Sequence, residues 1–389
     1  MLSTKFTTQY LTYFIILSLF FSMLYLVNSK ERFVYNRQSA SSSMKFEKAQ
    51  ILEVVSESLT PDEKIGNLSR GTQDLKIEIL TGEHEGEQLV VKNYLSSRFN
   101  VYGVKGRTII VCVDTAAPGK YRVTVNSYHR SPILYAAIAM FAMVMLLIGG
   151  KKGVRSIFGL GFTLASILFL FIPMLVQGRS PVFASVFIVV ITTAASVLCI
   201  NGWSVKSLAA VWGTTLGVVI AGLLSILLGS LAHVSGFQTE EAETLILIAS
   251  STGMNVGELL FAGLLIASLG AVMDVAVSIS SGIHEVLMTD RTLPRGRLFR
   301  SGMNIGRDIM GSMSNTLILA FAGTSTNSLI LIYAYNVDYT QLINMDAIGI
   351  EILRGLCGST AVVLTVPIVS VVSAWLFPCF LEKNRGLTK

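Results

Sequence analysis

The sequence predicts an all-α polytopic membrane protein of about eight transmembrane helices, with a small all-β extracytoplasmic domain between helices 1 and 2. Three observations predict this fold class. Of the 389 residues, 52% are hydrophobic and only 14% are charged, whereas soluble chains average about 25% charged residues. The mean hydropathy is +0.63. Long apolar runs recur through the chain, and one polar stretch of short alternating segments interrupts them.

The first apolar run, at residues 10–28, has about 18 apolar positions, which is enough to cross a bilayer. It is also longer than the apolar core of a typical secretory signal peptide. Val27 and Ser29 offer a weak cleavage site, but the length of the run favours an uncleaved transmembrane anchor over residues 1–30.

The polar stretch from residue 31 to residue 128 predicts a small β barrel or sandwich. After a Ser-rich linker come five short segments of β-type pattern, at 49–56, 75–80, 88–93, 108–114 and 121–125. Glycines and a Pro-Gly pair separate these segments, as is typical of tight turns. The stretch contains no metal-ligand set and no nucleophile–base pair, so we expect a folded extracytoplasmic module.

Residues 132–380 are predicted to form a membrane core of seven helices, followed by a cytoplasmic tail at 381–389. The apolar runs are about 17 to 29 residues long, at 132–148, 157–176, 181–200, 208–231, 256–281, 306–323 and 348–376. Basic residues follow alternate runs, and basic loops stay in the cytoplasm. They are Lys151, Lys152, Arg155, Lys206, Arg291, Arg295, Arg297, Arg300, Lys383 and Arg385. Both termini are therefore predicted to be cytoplasmic.

Two further apolar segments, at 244–253 and 326–336, are too short to cross a bilayer. One precedes and the other follows a pair of helices predicted at 263–287 and 302–323. Short paired segments in such corresponding positions are typical of transport sites. We interpret them as re-entrant segments, or equally as amphipathic surface helices or buried loops.

The helices at 263–287 and 302–323 have matching polar stripes at steps of three or four residues, which places each stripe on one helix face. The first stripe contains Gly263, Ala267, Gly270, Asp274, Ser278, Ser281 and Glu285, and the second contains Asn304, Asp308, Gly311 and Asn315. Pro294 lies near the centre of the loop between the helices. An antiparallel hairpin about this loop opposes Asp274 to Asn315, Ser278 to Gly311, Ser281 to Asp308 and Glu285 to Asn304.

Ionisable side chains cost about 2.5–3.5 kcal/mol each at the centre of a membrane helix, and they usually face protein or a water-filled path. Asp274 and Asp308 are therefore interpreted as proton or cation sites, with structural pairing as the alternative. Arg307 would hold Asp308 charged or bind an anion. The residues that would complete the polar path are Ser278, Ser281, Glu285, Asn304 and Asn315. For Gly270, Ser278 and Ser281, helix packing alone is the competing interpretation.

Several classes of function lack the residues that they require. The chain has no GxxxxGK[ST] loop and no GxSxG turn, and Met288 breaks the HExxH pattern that begins at His284. No Cys/His ligand set occurs, and no basic cluster is combined with aromatic stacking residues. We therefore expect no enzyme activity, no cofactor, no bound metal and no nucleic-acid partner.

Two long segments of the hairpin, residues 270–285 and 304–323, carry a resemblance to a known family. With them, the chain from the second crossing onward resembles the YibE/F family of bacterial multi-pass membrane proteins. The resemblance implies a permease-like component of the bacterial cytoplasmic membrane. The hairpin alone is similar to the central helix pair of the proton-driven RND and SecD/SecF transporters.

The sequence thus predicts a permease-like secondary transporter, or a transporter subunit, that couples to an ion or proton through the polar seam. Its expected partners are the lipid bilayer, a small ion or solute, and a second copy or a related membrane protein. The alternative is a non-transporting assembly factor or sensor whose outer β domain binds a partner.

Overall fold

The computed structural model describes residues 15, 17–29, 44–61, 69–117, 120–239 and 241–386. The chain divides into two compact units. One contains residues 34–144, and the other contains residues 1–33 and 145–389. All of the strands belong to the first unit, and most of the helices belong to the second.

The first unit contains a five-stranded antiparallel sheet with the strand order β3-β2-β1-β4-β5. The strands are β1 (Met44–Pro61), β2 (Ser69–Ile79), β3 (Gln88–Leu95), β4 (Thr108–Ala117) and β5 (Lys120–Tyr128). In β2, Leu75, Ile77 and Ile79 are buried and alternate with half-exposed residues, because successive side chains of a strand point to opposite faces. The predicted small β domain is confirmed as a half-barrel sheet with its own apolar core.

Two buried amide side chains hold the long loop between β3 and β4 against the sheet. Asn93 Nδ2 donates a hydrogen bond to the Val101 carbonyl at 2.7 Å, and Gln73 Oε1 accepts one from the Gly103 backbone N–H at 2.8 Å. Asn93 Nδ2 also donates to Gln73 Oε1 at 3.3 Å. Because these buried polar groups are paired, they fix the loop without leaving an unsatisfied donor or acceptor at these atoms.

The helices run through the rest of the described chain. They are α1 (Leu17–Asn28), α2 (Ser131–Ser166), α3 (Ile172–Val176), α4 (Pro181–Asn201), α5 (Val205–Leu231), α6 (Ala242–Thr252), α7 (Leu259–Thr289), α8 (Arg295–Thr324), α9 (Thr326–Ala334), α10 (Tyr339–Ile343) and α11 (Asp346–Gly386). A π-helical turn, Ile167–Phe171, joins α2 to α3. Short 3₁₀ turns lie at Gly236–Gln238 and Val256–Glu258.

The helices confirm a membrane protein, but they do not confirm the predicted count of about eight crossings. Among the described residues, five helical segments are long and apolar enough to cross a membrane, or six if the bent pair α8–α9 is one span. One of the five, Ser131–Val176, has 46 residues, about twice what one crossing needs. Its backbone is non-helical at Gly150, with φ 50° and ψ −131°. This break lies between the predicted second and third crossings.

The described part of the predicted N-terminal anchor packs against other helices of the second unit, to which it belongs. The Phe20 ring lies 4.7 Å from the Phe162 ring, measured between centroids. Gln177 Nε2 donates a hydrogen bond to the Val27 carbonyl at 2.6 Å, and Asn28 Nδ2 donates one to the Phe169 carbonyl at 3.0 Å. Residues 1–14 of the anchor lie outside the described residues.

Helix α11 packs against α5, α7 and α8 and forms the centre of the bundle. Glycines of α5 make the close approach possible. A Cβ atom at Gly213 would lie 2.2 Å from Val369 Cγ2, and one at Gly217 would lie 2.2 Å from Thr365 Oγ1. The two glycines therefore act in helix packing, as small residues commonly do between membrane helices.

The two short apolar segments form separate helices. Helix α6 occupies the predicted segment 244–253, and α9 occupies most of 326–336, after a bend of 61° from α8. Their entry into a bilayer stays a prediction. At the C-terminal end, α11 continues to Gly386, so residues 381–386 of the predicted tail are helical.

Candidate functional site

A short loop that Asp290 stabilises joins the two helices of the predicted site, α7 and α8. Asp290 Oδ1 accepts hydrogen bonds from the Thr292 hydroxyl at 2.6 Å and from the Thr292 backbone N–H at 2.9 Å. These two bonds lower the pKa of the Asp290 carboxyl, and the bond from the Thr292 hydroxyl has the larger effect. Pro294 then precedes the first residue of α8, Arg295. The predicted hairpin therefore has a defined turn.

The two helices touch through glycine and isoleucine residues. A Cβ atom at Gly282 would lie 2.7 Å from Ile305 Cδ1, and one at Gly302 would lie 2.6 Å from Ile283 Cδ1. The predicted register opposes these α7 residues to other residues of α8. The α8 residues that they contact in the structure lie about half a turn to one turn nearer the loop. The contacts between α7 and α8 at these glycines are therefore apolar, and the polar stripes lie to the side of them.

Most of the predicted site residues lie on the exposed surface of the hairpin. Ser281 is half-buried, and the others are exposed: Asp274, Ser278, Glu285, Asn304, Arg307, Asp308 and Asn315. The small residues of the stripes are equally open, because no atom lies within 4 Å of a Cβ atom built at Gly263, Gly270 or Gly311. Gly270 and Ser278 therefore make no close packing contact with the other helices that the structure describes.

The structure brings the charged side chains to one hairpin but does not pair them with each other. In the described part of the chain, Asp274, Arg307 and Asp308 make no hydrogen bond and no ion pair. Glu285 Oε1 lies 4.0 Å from His284 Nδ1, which is too long for a hydrogen bond. The His284 Nδ1 atom is buried and has no hydrogen-bond partner among the described residues. The exposed carboxylates and the Arg307 guanidinium are thus available to water, ions or another protein surface.

Sequence reasoning missed a second polar site, an ion pair inside α11. Arg354 Nη1 donates to Glu351 Oε1 at 2.8 Å, and both side chains are largely buried. The other carboxylate oxygen, Glu351 Oε2, is buried and has no hydrogen-bond partner among the described residues. The signal was present in the sequence, because the two charged residues interrupt the apolar run 348–376 and are three positions apart.

This ion pair lines a cavity of about 700 Å³. The walls come from the end of α8, the start of α9, the first turns of α11 and the segment at 238–241. A volume of this size lies within the range of about 300–1,000 Å³ that is usual for small-molecule sites. No group of three or more His, Cys, Asp or Glu side chains that could hold a metal ion occurs within the described ranges.

One comparison with known proteins assigns the chain to a family. The family model described as "YibE/F-like protein" matches residues 137–379, which include all of the hairpin and the ion pair of α11. No curated protein and no solved structure matches the chain. The match extends over more than half of the sequence, and the helices that it includes are those of the apolar bundle. The chain therefore belongs to the YibE/F-like family of membrane proteins.

Proposed function

We propose that this protein is a permease-like secondary transporter, or a subunit of one, in which Asp274 and Asp308 bind a proton or another cation. One observation carries the proposal. Two carboxylates and an arginine lie exposed and unpaired, among the described residues, on apolar helices of a membrane bundle. Such side chains are rare in membrane helices, and they usually mark ion or substrate pathways.

The bilayer itself cannot accommodate this surface at low cost. Each charged side chain at the centre of a membrane helix costs about 2.5–3.5 kcal/mol. Water or another polar protein surface against the hairpin would remove most of this cost. Binding a proton or cation would also neutralise each carboxylate. A carboxylate in such a path can therefore take up a proton or cation from one side of the membrane and release it to the other.

The remaining polar residues fit the same path. The hydroxyl and amide side chains of Ser278, Ser281, Asn304 and Asn315 would supply hydrogen bonds to water or to a partly hydrated cation. Arg307 immediately precedes Asp308 in the sequence and is also exposed. Its positive charge would attract an anion. Glu285, near the loop end of α7, would form the cytoplasmic entrance of the path.

The proposed location is the bacterial cytoplasmic membrane, with both termini inside and the β module outside. The support is the alternation of basic loops along the chain. Labelling with a membrane-impermeant maleimide would test it in a background without the four native cysteines. We expect Glu85→Cys to react in intact cells and Lys389→Cys to react only after lysis. Equal labelling of both would contradict this topology.

Flux measurements in proteoliposomes would test the function. With a pH-sensitive dye inside and a panel of ions outside, we expect Asp274→Asn and Asp308→Asn to reduce proton flux to that of protein-free vesicles. Each substitution keeps the side-chain shape and removes the charge. The matched control is Glu243→Gln in the first turn of α6, which should keep wild-type flux. Wild-type flux in both aspartate variants would refute the proposal.

The alternative function, a non-transporting assembly factor or sensor, has one observation in its favour. The β module has its own core, and its Phe46, Tyr94 and Phe99 side chains are each more than 60% exposed. Exposed aromatic side chains are common at protein interfaces. Deleting residues 46–125 separates the two functions. After the deletion, a transporter would keep its flux, whereas a sensor would lose the binding of its partner. A membrane core that folds but shows no flux under any gradient would favour the sensor.

A further inference from the structure

The cavity beside the Glu351–Arg354 ion pair has a charged wall and an apolar mouth. Its polar side chains include Gln238, Thr239, Glu241, Thr324, Ser325 and Ser328. Its apolar side chains include Ile318, Leu329, Ile352 and Leu356, each of which is between 41% and 55% exposed. These exposed apolar side chains belong to α8, α9 and α11, so part of the cavity wall is both apolar and open.

The guanidinium of Arg354 has donors to spare. Among the described residues, its only hydrogen bond goes to Glu351 Oε1, although a guanidinium has five N–H donors in a planar fork. Such a fork matches the oxygens of a phosphate or carboxylate. About a third of the Arg354 side chain is exposed, so an anionic group in the cavity can reach it.

The acidic side chains of the cavity are suited to a cation. Glu241 lies exposed at the rim, where its side chain makes no hydrogen bond within the described chain. Glu351 Oε2 lacks a hydrogen-bond donor. An ammonium group has three N–H donors, and it could supply one to the exposed carboxylate of Glu241. A bare metal ion fits less well, because a third acidic, Cys or His ligand is absent among the described residues.

The order of these groups along the bundle restricts the ligand further. Glu351 lies about 4.5 Å nearer the start of α11 than Arg354, at a rise of 1.5 Å per residue. Glu241 belongs to the same end of the bundle, since it lines the cavity together with Ala347 and Ile348 at the start of α11. Leu356 and Ile318 lie on the other side of Arg354, toward the middle of their helices. Along α11, the cavity thus offers the acidic Glu351, then the basic Arg354 and then the apolar Leu356, and further apolar side chains lie beside the ion pair.

We propose that this cavity binds the headgroup of a phospholipid with a primary ammonium group. In such a lipid, the ammonium lies outermost, the phosphate lies below it, and the acyl chains lie deepest. The phosphate would accept hydrogen bonds from Arg354, the ammonium would donate to Glu241, and the chains would lie over Ile318 and Leu356. The exposed apolar mouth favours a lipid over a free headgroup, because a free headgroup has no alkyl part to cover it.

Lipid retention by the full chain tests this proposal without reference to transport. The protein is placed in nanodiscs of equal amounts of phosphatidylethanolamine, phosphatidylcholine and phosphatidylglycerol, and the lipids that stay bound after detergent extraction are identified by native mass spectrometry. We expect at least about ten molecules of phosphatidylethanolamine to be retained for each molecule of phosphatidylcholine. Soluble phosphoethanolamine, added as a competitor, should not displace it. Displacement at low concentration would assign the site to the free headgroup instead and overturn the lipid proposal.

Three variants and one control locate the binding. Glu241→Gln removes the ammonium partner, so the preference for phosphatidylethanolamine over phosphatidylcholine should disappear. Arg354→Gln combined with Glu351→Gln removes the phosphate site without leaving an unpaired buried charge, and retention of all phospholipids should fall about tenfold. Ser328→Trp should have the same effect by filling the cavity. Glu243→Gln, two residues from Glu241 and outside the cavity, should behave as wild type.

These results separate the proposal from its rivals. Equal retention of the three lipids by the wild type would overturn it. So would an unchanged preference in Glu241→Gln together with unchanged retention in Ser328→Trp. A thermal unfolding curve for each variant shows whether a loss of retention comes from loss of the fold, and Glu241→Gln and Ser328→Trp leave the buried ion pair intact.

Discussion

Gly306 of α8 lies so close to Val366 of α11 that a Cβ atom at position 306 would be 2.2 Å from Val366 Cγ1. The same Cβ atom would lie 3.0 Å from Ile279 Cδ1 of α7. Three helices therefore meet at one position that has no room for a side chain. This contact explains why α8, most of whose surface is exposed, still has a defined place in the bundle.

A methyl group at this position should destabilise the bundle. Gly306→Ala gains helix propensity of about 1 kcal/mol, but overpacking a tight contact costs about 1–3 kcal/mol. We expect a lower thermal midpoint for the purified protein in detergent. Gly311→Ala is the matched control on the same helix, because a Cβ atom there would have no atom within 4 Å. Its midpoint should equal or exceed that of the wild type, and an equal loss in both variants would contradict the packing at Gly306.

The register of the hairpin can be measured by disulfide formation. Gly282 and Ile305 face each other in the structure, since a Cβ atom at 282 would lie 2.7 Å from Ile305 Cδ1 and 3.8 Å from its Cγ1 and Cγ2 atoms. Cysteines at these two positions should oxidise rapidly in a background without the native cysteines. The sequence-based register instead predicts the faster link between cysteines at 281 and 308. Mobility on non-reducing gels compares the two rates, and a faster link in the second pair would support the polar seam.

An acid-sensitive cluster is predicted in the β module. Tyr121 donates a hydrogen bond from its hydroxyl to Glu87 Oε2, and His84 Nδ1 lies 3.0 Å from Glu87 Oε1. The bond from Tyr121, followed by the contact with His84, lowers the pKa of Glu87. A carboxyl whose pKa is lowered by folding contributes stability above its unfolded pKa of about 4.3, and that stability is lost as the pH falls through the folded value.

Tyr121→Phe removes the main cause of this shift. We expect the variant to have a lower thermal midpoint than the wild type at pH 6, and the difference should shrink as the pH falls below about 4. Circular dichroism of the full chain can follow the melting of the module. Tyr94→Phe serves as the control, because its exposed hydroxyl makes no hydrogen bond within the described ranges. A difference that stays constant down to pH 3 would exclude Glu87 as its source.

The sequence by itself determined the class of this protein and the approximate places of its strands and apolar helices, but not the number of crossings. The low share of charged residues and the long apolar runs predicted a helical membrane bundle, and the alternating segments from residue 49 onward predicted the strands of the β domain. These properties are local, because hydropathy and periodicity depend on neighbouring residues along the chain. The family resemblance was equally visible in residues 270–285 and 304–323 and is confirmed.

Only the tertiary structure decided which helix faces meet. The polar stripes of α7 and α8 match in spacing, yet the helices touch through Gly282, Gly302 and Gly306, because close backbone approach at glycines gains more packing contact than a seam of hydrogen-bonding side chains. The cavity beside Arg354 depends on the bend after α8 and on segments more than 100 residues apart in the sequence. Spacing along one helix cannot show such a site, because its walls come from separate parts of the chain.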